Sequence, residues 1–135
     1  MSGQRSRYSA DVRTGELALE RTDAGLAVLT ISGEHDLSTA PDLRRRLDSL
    51  LDEGTKTVID LSPATFIDSS ILGVILDGRR RADDAEIGLA VVHSNGGDAV
   101  DRVLEVTGLR AELPVHARRE DAIKAVSGNS GKRVL

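Results

Sequence analysis

The segment Phe66 to Leu76, FIDSSILGVIL, sets one acid and two hydroxyls between apolar residues. Asp68, Ser69 and Ser70 stand directly before a run with helical spacing, so the pattern predicts that they begin a helix. A helix start presents unpaired backbone N–H groups and a partial positive charge. A serine at this place can cap the helix with its hydroxyl, or it can accept a phosphate, which the helix end favours. The residues alone leave both roles open.

A second group of polar side chains occupies the segment Ser32 to Leu37, SGEHDL, after a predicted strand. Ser38 or Thr39 then caps the helix that follows. In α/β sheets, functional residues gather in the loops at the carboxyl ends of the strands. We therefore expect Asp36 and Ser69 to lie close together on one surface, although they are far apart in the sequence.

Signatures of catalysis are missing from the sequence. There is no G-x-S-x-G segment of the kind that holds a hydrolase nucleophile, and no spacing typical of metal ligands. The histidines His35, His93 and His116 are far apart, and His35, in a polar loop, is interpreted as a solvated side chain. Asp60 ends a buried strand, as the phospho-accepting aspartate of a receiver domain does, but the acid pair and late lysine of that chemistry are not in place. We expect no enzyme activity, no cofactor and no metal.

Composition narrows the class of protein further. The chain has 135 residues, enough for one domain with a core. Its net charge of −4 gives no electrostatic reason to expect direct contact with nucleic acid. The absence of cysteine fits a reducing compartment, and no apolar run approaches the ~20 residues that cross a bilayer. These features predict a cytoplasmic protein that does not insert into a membrane.

The order of the elements predicts the fold. Glu16–Glu20 and Leu26–Ile31 alternate as strands do, and the turn residues Asp23–Gly25 between them predict a hairpin. Strands then alternate with helices: predicted strands are 57–61, 87–92 and 112–115, and predicted helices start near 38, 68, 98 and 120. The pattern is typical of an α/β fold with a mixed sheet of four to five strands and helices packed mainly on one face.

The two ends of the chain are polar and lack periodicity. We expect residues 1–13 and 127–135 to be flexible tails on either side of a domain spanning residues 14–126.

Three segments resemble the anti-sigma factor antagonists, which are single-domain members of the STAS fold (sulfate transporter and anti-sigma factor antagonist). The segments are GEHD with the following STAPDLR at 33–44, DLSPATFIDSSILGVIL at 60–76, and VLEVTGLRAELPV at 103–115. Each motif is short, but their order and spacing together are specific. The resemblance covers roughly Leu17 to Val126.

This resemblance implies a protein-binding switch. In that family, an anti-sigma factor with serine kinase activity phosphorylates the serine directly after the aspartate of a D-S-[ST] motif, which is Ser69 here. The unphosphorylated antagonist binds the anti-sigma factor, the phosphorylated one releases it, and a serine phosphatase resets the switch. The implied partner surface of this monomeric protein contains Asp36, Ser38, Thr39, Asp68, Ser70 and Ile71.

The chain departs from the family pattern at two positions. Ile71 stands where the family usually has glycine, which would put a branched side chain beside Ser69, and His35 replaces an aliphatic residue. Two other functions remain open: a STAS subunit that docks on a membrane transport ATPase, and a sensor-type STAS domain of a stress-signalling complex.

Overall fold

A computed structural model describes residues 15–22, 25–94 and 96–132. In chain order its elements are β1 (Glu16–Arg21), β2 (Leu26–His35), α1 (Ala40–Asp52), β3 (Lys56–Asp60), β4 (Ala64–Ile67), α2 (Ser69–Asp84), β5 (Leu89–Val92), α3 (Ala99–Val106), β6 (Val115–His116) and α4 (Arg119–Lys132). The predicted N-terminal tail, residues 1–13, and the turn residues Asp23 and Ala24 lie outside the described ranges.

The sheet is mixed, as predicted. β1 forms an antiparallel hairpin with β2, whereas β2 is parallel to β3 and to β4, β3 is parallel to β5, and β5 is parallel to β6. The first half of the long strand β2 pairs with β3, and its end pairs with β4. Because the strands β2 to β6 are parallel, their carboxyl ends lie along one edge of the sheet. Both α1 and α2 begin at that edge.

Apolar side chains cover both faces of the sheet. Along β2, Leu29 and Ile31 pack with residues of α1, α2 and α3, while Leu26 and Val28 pack with residues of α4 on the other face. This alternation follows from the two-residue period of a strand. The helices therefore lie mainly on one face, and only α4 covers the other.

The sheet contains one strand more than the sequence predicts. β4 lies within the segment SPATFIDSS, residues 62–70, which follows the predicted strand at 57–61 and for which the sequence predicts no strand. A strand of only four residues shows too little alternation to be detected by pattern. It exists because the end of β2 offers it a partner. Ser69 consequently follows β4 and not β3.

The final helix is also longer than predicted. The sequence predicts that the helix and the domain end at Val126, because the residues that follow are polar and lack periodicity. In the structure α4 continues to Lys132, over part of the segment predicted to be a tail. Ala122 and Val126, which pack on the sheet, anchor the helix before this extension.

The helices α1 and α2 run side by side in the same direction. Arg44 of α1 donates to Asp77 of α2 at 2.9 Å, and one turn further along both helices Arg81 of α2 donates to Asp48 of α1. Both pairs join residues 33 positions apart, so the two helices keep a constant alignment. Within the described ranges, no helix has the length and hydropathy needed to cross a membrane.

Candidate functional site

The predicted site residues follow the ends of two neighbouring parallel strands. His35, the last residue of β2, is in register with Ile67, the last residue of β4. The register shifts between Gly33 and Glu34, and Gly33 has a φ of 79°, in the left-handed region that glycine adopts without a steric penalty. Asp36 and Asp68 therefore begin two adjacent turns at one edge of the sheet, as expected from the sequence.

The turn after β4 is organised by Asp68, which is the N-cap of α2. Its Oδ1 accepts the backbone N–H groups of Ser70 at 3.0 Å and Ile71 at 3.3 Å, and it also accepts the Ser70 hydroxyl at 2.5 Å. Two of the unpaired N–H groups of the helix start are thus satisfied by one carboxylate oxygen.

The two serines of this turn differ in what their hydroxyls do. The Ser70 hydroxyl is held by the cap carboxylate, and Ser70 is half-buried. Ser69 is the first residue of α2 and is exposed. Within the described part of the chain, no residue forms a hydrogen bond with the Ser69 hydroxyl. Ser69 thus presents a free hydroxyl to an approaching protein, and Ser70 does not.

The turn after β2 repeats this arrangement. Asp36 Oδ1 accepts the backbone N–H of Ser38 at 2.9 Å and its hydroxyl at 2.6 Å. Thr39 is the N-cap of α1, but its hydroxyl bonds to the backbone of Asp36, donating to the carbonyl at 3.0 Å and accepting from the N–H at 3.1 Å. Each turn therefore has the pattern Asp-x-Ser, in which the aspartate holds the serine two positions later.

The charge on Asp36 is stabilised by its own turn. The hydroxyl of Ser38, and after it the backbone N–H of Ser38, hold the pKa of the Asp36 carboxyl below its ordinary value, because both donate to the ionised form. Asp36 is exposed, so it offers a negative charge to a partner at neutral pH.

Asp60 and His93, two polar side chains considered in the sequence analysis, bind to residues outside the two turns. Asp60 accepts the backbone N–H of Ser62 at 2.9 Å and pairs with Arg119 at 2.9 Å, which fastens the start of α4 to the sheet. His93 forms a 3.1 Å pair with Asp98, the N-cap of α3. The residues that the structure describes contain no group of three or more His, Cys, Asp or Glu placed to hold a metal ion.

The sequence model of the family described as "Mlab, STAS domain" matches residues 18–115, which is most of the chain. The chain belongs to the STAS domain family. The family suggested by the sequence motifs is therefore confirmed.

One curated relative and two solved structures are similar to this STAS domain. It is 27% identical over 96 residues to the anti-sigma-B factor antagonist of Bacillus subtilis (strain 168), an alignment covering 71% of this chain and 86% of the relative. The crystal structure of an anti-sigma factor antagonist from Mycobacterium paratuberculosis has 29% identity and a TM-score of 0.75, covering 85% of this chain and 96% of that one. Unphosphorylated SpoIIAA, an anti-sigma factor antagonist, shares the fold with 19% identity and a TM-score of 0.66 over 84% of this chain and 99% of its own.

Ile71, one of the two departures from the family pattern, lies in the core of this STAS domain. It is fully buried, at 0% exposure, among the residues packed between the helices and the sheet. Its side chain therefore does not contact a partner, in contrast to the expectation from the sequence. Only its backbone N–H, bound to Asp68, takes part in the site.

His35, the other departure from the family pattern, is buried. The prediction that its side chain is solvated is therefore wrong. It is 2% exposed, and a Cβ atom added at Gly15 would collide with its ring. Its Nε2–H donates to the Ser32 carbonyl at 3.0 Å, since a carbonyl only accepts, and its Nδ1 lies 3.1 Å from the Thr39 hydroxyl. The ring thus ties the end of β2 to the start of α1. The strand pattern before His35 ends in polar residues, so the sequence gives little sign of this burial.

Leu37 is an exposed residue of the Asp36 turn that the sequence analysis did not single out. It occupies the middle of the Asp36 turn, the place that Ser69 holds in the Asp68 turn, and it is 72% exposed. Its signal in the sequence is a leucine between an aspartate and a serine, outside the periodic stripe of α1. Such a leucine is easily taken for part of the helix that follows.

Proposed function

We propose that this STAS domain is an anti-sigma factor antagonist, a binding protein without enzyme activity of its own. It binds an anti-sigma factor with serine kinase activity while Ser69 is unphosphorylated, and it releases that partner when Ser69 carries a phosphate. The observation that carries the proposal is the difference between the two serines. Ser69 is exposed and its hydroxyl has no hydrogen-bond partner among the described residues, while the Ser70 hydroxyl is bound to the helix cap. A kinase needs an exposed hydroxyl that is not bound within the domain, such as that of Ser69.

The relatives support the same function. The Bacillus subtilis and Mycobacterium paratuberculosis proteins, at 27% and 29% identity, are both anti-sigma factor antagonists. The names of these two relatives do not favour the other functions that the sequence left open.

The site explains how a phosphate would act without unfolding the domain. The kinase transfers the γ-phosphoryl group of ATP to Ser69 Oγ, which loses its proton, and the bond to the β,γ-bridging oxygen breaks so that ADP leaves. The phosphate then lies at the N-terminus of α2, where the helix dipole favours negative charge. The helix therefore stays intact, and the change is confined to the surface.

Release follows from the charges beside Ser69. The phosphate adds about −1.5 to −2 charges next to the carboxylates of Asp68 and Asp36. Ser38 and Ser70 hold the two carboxylates in place, and Thr39 holds the backbone of Asp36. A partner surface fitted to these carboxylates and to a neutral Ser69 hydroxyl meets excess negative charge and extra bulk. Complementarity of charge at the interface is lost, so the complex dissociates. A serine phosphatase restores the binding form.

Phosphorylation by purified kinases tests the proposal. The full chain is mixed with each anti-sigma factor kinase encoded in the same genome, with ATP, and the phosphate is located by peptide mass spectrometry. We expect one kinase to label Ser69, the Ser69→Ala variant to remain unlabelled and bound, and Ser69→Asp to bind at least about tenfold more weakly. Ser70→Ala is the matched control and should still be labelled on Ser69. Labelling of Ser70, or unchanged labelling of Ser69→Ala, would contradict the proposal.

A further inference from the structure

The surface of α2 beside Ser69 lacks a side chain. Gly73 lies one helical turn after Ser69 and is exposed. A Cβ atom added at Gly73 would meet nothing within 4 Å, so the glycine is not required by packing inside the domain. It also is not required by the backbone, because Gly73 is not among the residues with positive φ. A bare stretch of helix backbone thus follows the exposed serine, although glycine destabilises a helix interior by roughly 0.5–1 kcal/mol relative to alanine.

The turn adjacent to that of Ser69 carries a large apolar side chain, Leu37. Leu37 is 72% exposed, and the large apolar residues exposed in the described part of the chain are Leu19, Leu37, Phe66 and Val106. Leu37 and Ser69 are the middle residues of two like turns that follow paired residues of neighbouring strands. The carboxylates of Asp36 and Asp68 belong to the same two turns.

We infer that Leu37, Ser69 and Gly73 form one docking face for the anti-sigma factor kinase. Leu37 enters an apolar pocket of the kinase, and a segment of the kinase packs against the helix backbone at Gly73. The pocket has Lys or Arg at its rim, because Asp36 and Asp68 flank the docking face with negative charge. This inference rests on the proposed function and adds to it the chemistry of the partner surface.

Different residues of the docking face contribute the affinity for the kinase and its dependence on phosphate. Burying Leu37 contributes apolar binding energy that does not depend on phosphate, whereas Ser69 decides whether the charges at the interface match. The close approach allowed by Gly73 leaves no room for a phosphate and its hydration. Leu37 is then a residue that determines which of several related kinases is bound, because the depth of the pocket must fit it.

Binding of purified full-length variants to the kinase identified above tests the docking face. Leu37→Ser should weaken binding by about 10- to 100-fold, the equivalent of burying one leucine side chain. Gly73→Gln should weaken binding at least about tenfold while raising the melting temperature, because glutamine is a better helix former than glycine. Val106→Ser is the matched control, since Val106 is an aliphatic residue that is 80% exposed on α3, and its binding should be unchanged.

The outcomes distinguish this inference from the function on which it rests. If the wild type binds none of the kinases, the proposed function fails, and the inference with it. If the wild type binds and Ser69→Asp releases, but Leu37→Ser and Gly73→Gln bind as the wild type does, only the docking face is wrong. Self-association of the wild type that Leu37→Ser abolishes, measured by sedimentation, would assign the face to a second copy of the chain and overturn the inference.

Discussion

Asp36 and Asp68 occupy equivalent places at the ends of neighbouring parallel strands. Each follows a strand residue that is in register with the other strand, and each holds the serine two positions later through both its N–H and its hydroxyl. Each turn is therefore held by its own aspartate, and a change in one aspartate is expected to act locally on its own turn.

Replacing Asp68 tests its role as the cap of α2. Asp68→Ala should lower the free energy of unfolding by about 1 kcal/mol, because the N–H groups of Ser70 and Ile71 lose their acceptor. Asp68→Asn should cost much less, since asparagine caps as well as aspartate does. Ser69→Ala serves as the control with unchanged stability. Urea unfolding measures all three, and equal stability of Asp68→Ala and wild type would show that the cap is dispensable.

The titration of Asp36 should reveal the bonds of its turn. An NMR titration should place the pKa of the Asp36 carboxyl below that of aspartate in an unfolded chain, and Ser38→Ala should move it upwards, because the largest cause of the shift is the Ser38 hydroxyl. Since the folded-state pKa is depressed, the stability that this carboxylate contributes is present above the unfolded-state pKa and is lost as the pH falls through the folded-state pKa. A titration of Ser38→Ala that coincides with wild type would refute this cause.

Gly33 should be intolerant of a side chain. Its φ of 79° is in the left-handed region, so Gly33→Ala should destabilise the domain by about 1–2 kcal/mol. Gly73→Ala is the matched control in a helix, and it should stabilise by about 0.5–1 kcal/mol. Thermal unfolding checks both signs. Stabilisation by Gly33→Ala would contradict the described register between β2 and β4.

The ion pair between Arg119 of α4 and Asp60 should contribute strongly to the free energy of unfolding, because it is partly buried. Arg119→Ala leaves the Asp60 carboxylate, whose side chain is 9% exposed, without its cation and should lower the free energy of unfolding by about 2–3 kcal/mol. Arg118→Ala removes the neighbouring pair with Glu120, whose side chains are 65% and 69% exposed, and should have little effect. Chemical denaturation separates the two. Equal losses would mean that burial of Asp60 does not matter.

Much of the fold could be predicted because each helix or strand with regularly spaced apolar residues can be recognised from its own segment of the sequence. The stripe of leucines in α1 and the alternation in β2 are local signals, and they indicate an α/β fold without knowledge of the partner strands. The two polar loops could be located from the sequence for a related reason, because each follows a strand and precedes a helix, which is where functional residues gather in such sheets. Within those loops, Asp36 and Ser69 are singled out by the resemblance to the family.

Local patterns in the sequence were enough to predict every strand except β4, the starts of the helices, and two polar turns that follow strands. The surroundings of the residues in those turns depend on tertiary contacts. β4 exists because the end of β2 pairs with it, and this pairing sets the Asp36 and Asp68 turns side by side. Packing buries His35, which was expected to be solvated, and Ile71, which was expected on the partner surface, and it leaves Leu37 exposed. The physical reason is that pairing and burial depend on residues distant in sequence, whereas propensity and capping depend on the nearest few.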